Sequence, residues 1–296
     1  MNDRQQWYDR LRAKRYAAPA RRARGAKKPP EPRVLKLETT SRCNARCIFC
    51  GHGPGGRDMP WELFTAVIDA FPAAEEVQPQ WWGEPLLWPR IVDGVRYARR
   101  KGKRVVFYTN GSLLAGELAE ALADAEPTRV IFSVDTHLPE VYERIRPPLR
   151  FGQVLANIEA FQRIKRPGTR TSVRATETAE TAPTIAETAR YWASRVDTVQ
   201  VRAEFPRTRG VATARYAACS MPSYELVVRT DGSCCLCCND WKSEAVLGHV
   251  SEGLPEVWGR YARWTAEKHP LCDGCLLRWA PTAEVTDRPQ PVSGVE

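Results

Sequence analysis

The chain reads as an α/β protein built on a parallel sheet, and three observations carry that reading. Between residues 34 and 204, six short apolar runs are separated by stretches of helical period, the pattern of repeated β/α units. Right-handed crossovers between such runs make neighbouring strands parallel and lay helices on the sheet. Past residue 207 the pattern gives way to a hairpin and one helix, and the ten cysteines fall in two groups, at 43–50 and at 219–275.

Taken in order, Val34–Thr40 reads as the first strand, after the Pro-rich Lys28–Arg33. Met59–Phe71 is a helix and Glu76–Trp82 the second strand. Arg90–Lys101 is a helix in which Ile91 and Val95 share a face. Arg104–Thr109 is a strand closed by the turn pair Asn110-Gly111, and Ala115–Ala125 is the next helix. Arg129–Asp135 is a strand, followed by helical patterns over Pro139–Ile145 and Gln153–Ile164. Thr171–Thr176, Ala182–Ser194 and Thr198–Glu204 complete the series as strand, helix and strand. Six units cannot close as an eight-stranded barrel does, which leaves an open, partial barrel or a doubly wound sheet. In either, ligands collect at the carboxyl ends of the strands. Tyr224–Cys238 reads as a hairpin about Asp231-Gly232, and a helix runs from Leu254 to about Lys268, just before Cys272-Asp-Gly-Cys275. The expected division is a basic extension (1–33), a β/α domain (34–207), a small hairpin-plus-helix domain (208–280) and a polar tail (281–296).

Composition narrows the class. With 43% hydrophobic and 27% charged residues the chain can bury a large core, and no apolar run approaches the roughly 18 residues of a membrane helix. The N-terminus has no signal-peptide core, so a cytoplasmic protein is expected, in which thiols stay reduced and ligate metal rather than form disulfides. Of the net charge of +9, residues 1–33 supply +8, from eleven Arg/Lys against Asp3, Asp9 and Glu31. The body is therefore nearly neutral. The basic tail reads as a solvated extension, with docking on nucleic acid or an acidic partner the alternative.

Cys43, Cys47 and Cys50 stand in C-x3-C-x2-C spacing directly after the first strand, with no fourth thiol nearby. Closed iron–sulfur and zinc sites commonly take four cysteines, so three suggest a cluster with one iron left open, or zinc with a distant fourth ligand. Cys219-x17-Cys237 followed by Cys272-x2-Cys275 offers four thiols for a second, closed site, a cluster or zinc.

The C-x3-C-x2-C loop with Phe49 before its last cysteine resembles the signature of the radical S-adenosylmethionine (SAM) enzymes. Trp81-Trp82-Gly83-Glu84-Pro85 is similar to that family's G-G-E-P strand end, with Trp82 in place of the first glycine. Phe107–Leu113 and Ile131–Thr136 resemble its third and fourth strand ends. The resemblance spans roughly residues 33–280 and implies a partial (β/α)6 barrel. It implies a [4Fe–4S] cluster on Cys43, Cys47 and Cys50, with SAM on the fourth iron, and a 5′-deoxyadenosyl radical released by one-electron reduction. Carried over by position, Glu84 would accept from the SAM ammonium beside Gly83 and Pro85. Phe49 would lie against the adenine, and Ser133 or Asp135 would meet the ribose. Arg174 would pair with the SAM carboxylate, and Asn110 would border the cofactor or simply make its turn.

The later cysteines resemble the twitch half of the SPASM/twitch extension, which implies an auxiliary [4Fe–4S] cluster on Cys219, Cys237, Cys272 and Cys275. Their arrangement resembles that of deoxy-scyllo-inosamine dehydrogenase, and the radical epimerases of aminoglycoside and oligosaccharide biosynthesis belong to the same broad group. The expected substrate is therefore a carbohydrate-like small molecule, and the expected partner an external one-electron reductant of flavodoxin or ferredoxin type. An epimerase needs a thiol that donates hydrogen, and Cys234, Cys235 and Cys238 are surplus. Strand alternation would place Cys235 with Cys237 and Cys234 with Cys238. Buried small hydrophobes are the plain alternative for these thiols. Trp81, Gln80, Arg202, Glu204, Asn239 and Asp240 are candidates for the substrate pocket. Epimerisation is expected ahead of dehydrogenation. Peptide modification, RNA modification and a zinc-bound scaffold are the other readings.

Overall fold

In the computed structural model, residues 30–51, 56–203, 224–238, 240 and 243–264 are described. Strand β1 (Val34–Leu37) lies inside a nine-stranded sheet of order β6-β5-β4-β3-β2-β1-β7-β8-β9. The first six strands are β1, β2 (Glu76–Gln78), β3 (Arg104–Thr109), β4 (Arg129–Ser133), β5 (Arg170–Glu177) and β6 (Thr198–Ala203), all paired in parallel with their sequence neighbours. Each crossover steps one strand in the same direction. Right-handed crossovers of constant direction put every helix on one face, whereas a doubly wound sheet reverses and splits them. The order therefore resolves the choice in favour of a partial (β/α)6 barrel.

The helices are α1 (Trp61–Ala70), α2 (Ile91–Arg100), α3 (Gly116–Asp124), α4 (Pro139–Ile145), α5 (Phe151–Ile164), α6 (Ile185–Ala193) and α7 (Leu254–Trp264). Phe64, Val95, Leu122, Tyr142, Phe161, Trp192 and Trp258 from these helices join one buried cluster with alternate strand residues, among them Leu35, Leu37, Val77, Phe107, Phe132 and Val173. Each such side chain contributes on the order of 1.5–3 kcal/mol by leaving water. The intervening strand positions share the opposite face, where Lys36, Gln78, Tyr108, Ser133, Arg174 and Gln200 are polar and Val34, Val106 and Ile131 are apolar. The described helices and the buried cluster occupy one side of the sheet, and these polar groups the other.

Two expectations at strand ends need correction. The second strand stops at Gln78, not Trp82, because Pro79 has no N–H for the ladder, and the chain turns into a short 3-10 turn at Pro85–Leu87. The hairpin is formed by β7 (Glu225–Val228) and β8 (Ser233–Cys235), turning at Gly232, whose φ of +89° suits glycine. β8 ends at Cys235, after a register shift between Cys234 and Cys235, so alternation does not carry through to Cys237 and Cys238. A third strand, β9 (Val246–His249), pairs with β8 and was not expected. β7 also pairs in parallel with β1, joining the hairpin to the barrel sheet.

Candidate functional site

The loop after β1 is fastened from two sides. On one, Ser41 N–H donates to the Arg57 carbonyl (3.0 Å), Met59 N–H to the Thr39 carbonyl (2.8 Å), and Thr40 bridges Asp58. Arg42 fixes the same return segment, donating to both Asp58 oxygens at 2.7–3.1 Å and to the Leu87 carbonyl at 2.7 Å. On the other side, Arg46 N–H donates to the Pro147 carbonyl (2.7 Å) and Ile48 N–H to the Ile145 carbonyl (3.0 Å), at the end of α4. A turn closes the motif, from Cys50 N–H to the Cys47 carbonyl at 2.9 Å.

Cys43, Cys47 and Cys50 are half-buried free thiols. Burial pushes the Cys43 thiol up to about 11, and Glu84, Cys47 and Cys50 push the same way. Burial also raises Cys47, with Arg146 opposing. Thiols that repel one another's ionisation become thiolate ligands when a cationic metal centre displaces their protons. Among the described residues no three His, Cys, Asp or Glu side chains surround one point as ligands of a single ion would. Three cysteine thiolates on one short loop are donors that suit three irons of a cubane cluster.

Glu84 sits beside this loop, 3% exposed, at the end of the β2 connection. Its carboxylate accepts from Thr109 Oγ1 (2.7 Å), Asn110 N–H (2.7 Å) and Leu86 N–H (3.1 Å). Burial outweighs these bonds and raises it to about 7. Gly83 lets the connection pass: a Cβ there would stand 2.1 Å from the Thr40 carbonyl oxygen and 2.7 Å from that of Arg42. Glu84 N–H donates to the same Arg42 carbonyl at 2.8 Å. Pro85 is buried at the start of the 3-10 turn. Asn110 ties the β3 end to the cysteine loop, since its amide donates to Asn44 Oδ1 (2.8 Å) while Asn44 donates to Ser112 Oγ (2.8 Å).

Further along the sheet, Ser133, Arg174 and Gln200 stand side by side in register on β4, β5 and β6. Arg174 lies over the Tyr108 ring at 4.0 Å, donates to the Tyr108 hydroxyl, and reaches Gln200 Oε1 at 3.3 Å. Arg202 pairs with Thr176 in the next tier and is half-buried. Trp81 Nε1 donates to the Cys238 carbonyl (3.0 Å), tying the barrel rim to the segment after β8. Cys237 and Cys238 are half-buried there, and Gln80 is buried.

Several expected roles meet a different geometry. Asp135 is fully buried, held by Arg146 at 2.6 Å and by Thr176 N–H at 2.8 Å, so its carboxylate is committed within the protein. Asp240 is likewise buried, accepting from Glu244 N–H (2.8 Å) and Ala245 N–H (3.0 Å), which makes it a staple of its loop rather than a pocket wall. Cys234 and Cys235 are fully buried, and burial raises both thiols to about 12. Glu204, Asn239, Cys219, Cys272 and Cys275 lie outside the described residues. Sequence reasoning missed Arg146, which joins Asp135 to Cys47 and Phe49, and Asn44, inside the motif itself.

Comparison with known proteins gives this geometry a family. Residues 37–189 match the radical SAM superfamily and residues 219–276 match SPASM, an iron-sulfur cluster-binding domain. A tungsten-containing aldehyde ferredoxin oxidoreductase cofactor-modifying protein of Pyrococcus furiosus is 34% identical over 140 residues, 45% of this chain and 38% of its own. An AdoMet-dependent heme synthase of Methanosarcina barkeri is 30% identical over 138 residues, 45% of this chain and 40% of its own. The matched stretches thus span less than half of either curated relative. Among solved structures, BtrN in complex with AdoMet and 2-DOIA aligns with a TM-score of 0.53 at 16% identity, covering 83% of this chain and 93% of that one. AnSMEcpe with bound AdoMet and a peptide aligns with a TM-score of 0.63 at 15% identity, covering 84% and 88%. At such identities the likeness is one of fold. With the first match covering just over half of its residues, the chain belongs to the radical SAM superfamily and is an enzyme of SAM and [4Fe–4S] clusters with a SPASM-type auxiliary-cluster region.

Proposed function

We propose that this enzyme removes a hydrogen atom from a hydroxyl-bearing carbon of a sugar, aminocyclitol or aminoglycoside-type small molecule and inverts that centre. When bound, the cluster and SAM supply a 5′-deoxyadenosyl radical, and the protein supplies orientation. The observation that carries the reading is the sheet face opposite the described helices, where the polar Lys36, Gln78, Tyr108, Ser133, Arg174 and Gln200 stand on adjoining strands. Polar side chains at this density suit a ligand rich in hydroxyls and amines. Cys43, Cys47 and Cys50 hold the SAM-binding cluster, Glu84 accepts from the SAM ammonium, Ser133 rather than the committed Asp135 meets the ribose, and Arg174 faces the carboxylate. Cys219, Cys237, Cys272 and Cys275 hold the auxiliary cluster.

The Glu84 assignment has a pH signature. Its carboxyl is raised to about 7 by burial, while Arg146 pulls it down. Below that value the free protein must give up a proton to pair with the ammonium. SAM affinity is therefore expected to rise as pH climbs to about 7, by up to about tenfold per unit, and to level off above it. Glu84→Gln should flatten the profile. Equilibrium dialysis of SAM between pH 5.5 and 8.5, about a unit and a half either side, checks it, and a profile unchanged by Glu84→Gln removes Glu84 from this role.

Among the surplus thiols, burial favours Cys238 as hydrogen donor, since Cys234 and Cys235 are sealed in the core and Cys238 adjoins Trp81. When bound, SAM would supply the deoxyadenosyl acceptor for the substrate carbon's hydrogen atom, leaving 5′-deoxyadenosine. The Cys238 sulfur then gives its hydrogen atom to the opposite face, and recovers one electron from an external flavodoxin- or ferredoxin-type reductant and one proton from solvent. With reductant, SAM and a panel of aminocyclitols and aminoglycosides in D2O, an inverted product carrying one deuterium is expected. Cys238→Ala should abolish inversion while Cys234→Ala retains it. The burial of two of the three surplus thiols supports a second reading, dehydrogenation, in which the substrate carbon loses a proton and a further electron to become a ketone. An oxidised product without deuterium would establish that reading instead.

A further inference from the structure

We propose that Arg146 is a positioning residue that tunes the cluster of the Cys43 loop through a charge-assisted hydrogen bond to Cys47; this rests on Cys43, Cys47 and Cys50 being cluster ligands. Arg146 follows α4 directly, between the two residues whose carbonyls, Ile145 and Pro147, receive the N–H groups of Ile48 and Arg46. Its side chain is 8% exposed. Nη1 lies 3.4 Å from Cys47 Sγ, within reach of an N–H···S hydrogen bond, and the guanidinium carbon lies 5.1 Å from the centroid of the Phe49 ring. The rest of the fork is held by Asp135, whose Oδ2 is 2.6 Å from Nε and from Nη2, and Asp135 is itself pinned by Thr176 N–H through Oδ1. The guanidinium is thus fixed on three sides, with one arm turned to a cysteine sulfur.

A buried ion pair adds little to stability, and apolar replacements of similar volume often match it. Neutralising Asp135 would also need no contact with Cys47. What the arrangement does supply is a permanent positive group at a ligand sulfur, since a guanidinium stays protonated at any working pH. Hydrogen bonds and positive charge at ligand sulfurs favour the reduced, more negative cluster and raise its potential. The ring of Phe49, expected on sequence grounds at the cofactor, is held by the same cation.

The test is an EPR-monitored redox titration of the reconstituted holoenzyme, following the cluster whose signal changes when SAM is added. Arg146→Gln is expected to lower its midpoint potential with full iron content. Arg146→Lys keeps a charge toward Asp135 but cannot span both Asp135 and Cys47, and should lower it by a smaller step. Pulsed EPR of unsubstituted protein carrying isotopically labelled arginine, reduced without SAM, should show a coupled arginine nitrogen, a readout that does not depend on either variant folding. Midpoints equal to that of the parent, or no coupled arginine nitrogen, would overturn the proposal for Arg146 alone. A parent protein with no SAM-responsive signal would overturn the cluster reading beneath it.

Discussion

Alanine in place of Cys43, Cys47 or Cys50 is expected to remove about four of about eight iron atoms per chain and to abolish reductive SAM cleavage. The loop that presents these thiols is fastened by backbone bonds to residues 57–59 on one side and 145–147 on the other, none of which involves a cysteine side chain. Each variant should therefore fold and keep the second cluster. Cys237→Ala gives the opposite result, losing a similar amount of iron while SAM still alters the EPR signal of the remaining cluster. Iron, acid-labile sulfide and 5′-deoxyadenosine are the three measurements. About two zinc ions per chain and no sulfide in anaerobically purified protein would refute the cluster reading altogether.

Gly83→Ala is expected to cost about 3 kcal/mol of stability, at the upper end for overpacking, and to weaken SAM binding sharply. The obstruction is backbone, with the Thr40 oxygen 2.1 Å and its carbon 2.9 Å from the added atom. No rotamer change can relieve it, so either the segment Thr40–Arg42 or the Glu84 turn must move. Movement of the first displaces the cysteine loop, and movement of the second takes Glu84 from Thr109 and Asn110. Thermal unfolding and SAM affinity report the two losses. A Gly83→Ala protein matching its parent in both would show that the turn yields without cost. The contact also accounts for the departure at Trp82: the steric demand falls on Gly83, so the preceding position can carry a large ring.

Much of this site was legible because its parts are local. The cysteine spacing, the Gly83-Glu84-Pro85 turn and the period of the six β/α units are patterns within short windows. Arg146 was not legible, because its partners are Asp135 and, 99 positions away, Cys47. In sequence it is one more cation at the end of a helix. Asn110 read as a turn residue for the same reason, since only the fold brings it to Asn44. Cys234 to Cys238 do not alternate as one strand, because of a register shift that no residue type announces. β9 went unread because four residues with Gly248 among them give too little period to notice.

The pairing of β7 with β1 has a consequence for solubility and folding order. The register runs from Val34 opposite Glu225 to Leu37 opposite Val228, the full length of β1. Without the hairpin, β1 would become a lateral boundary of the barrel sheet, presenting a row of unpaired N–H and C=O groups on an apolar strand, the template on which chains stack into aggregates. The C-terminal region therefore shields this edge once the chain is complete, and until residues 225–228 are made the edge stays open. A chain cut after its sixth strand loses that shield along with its second set of cysteines.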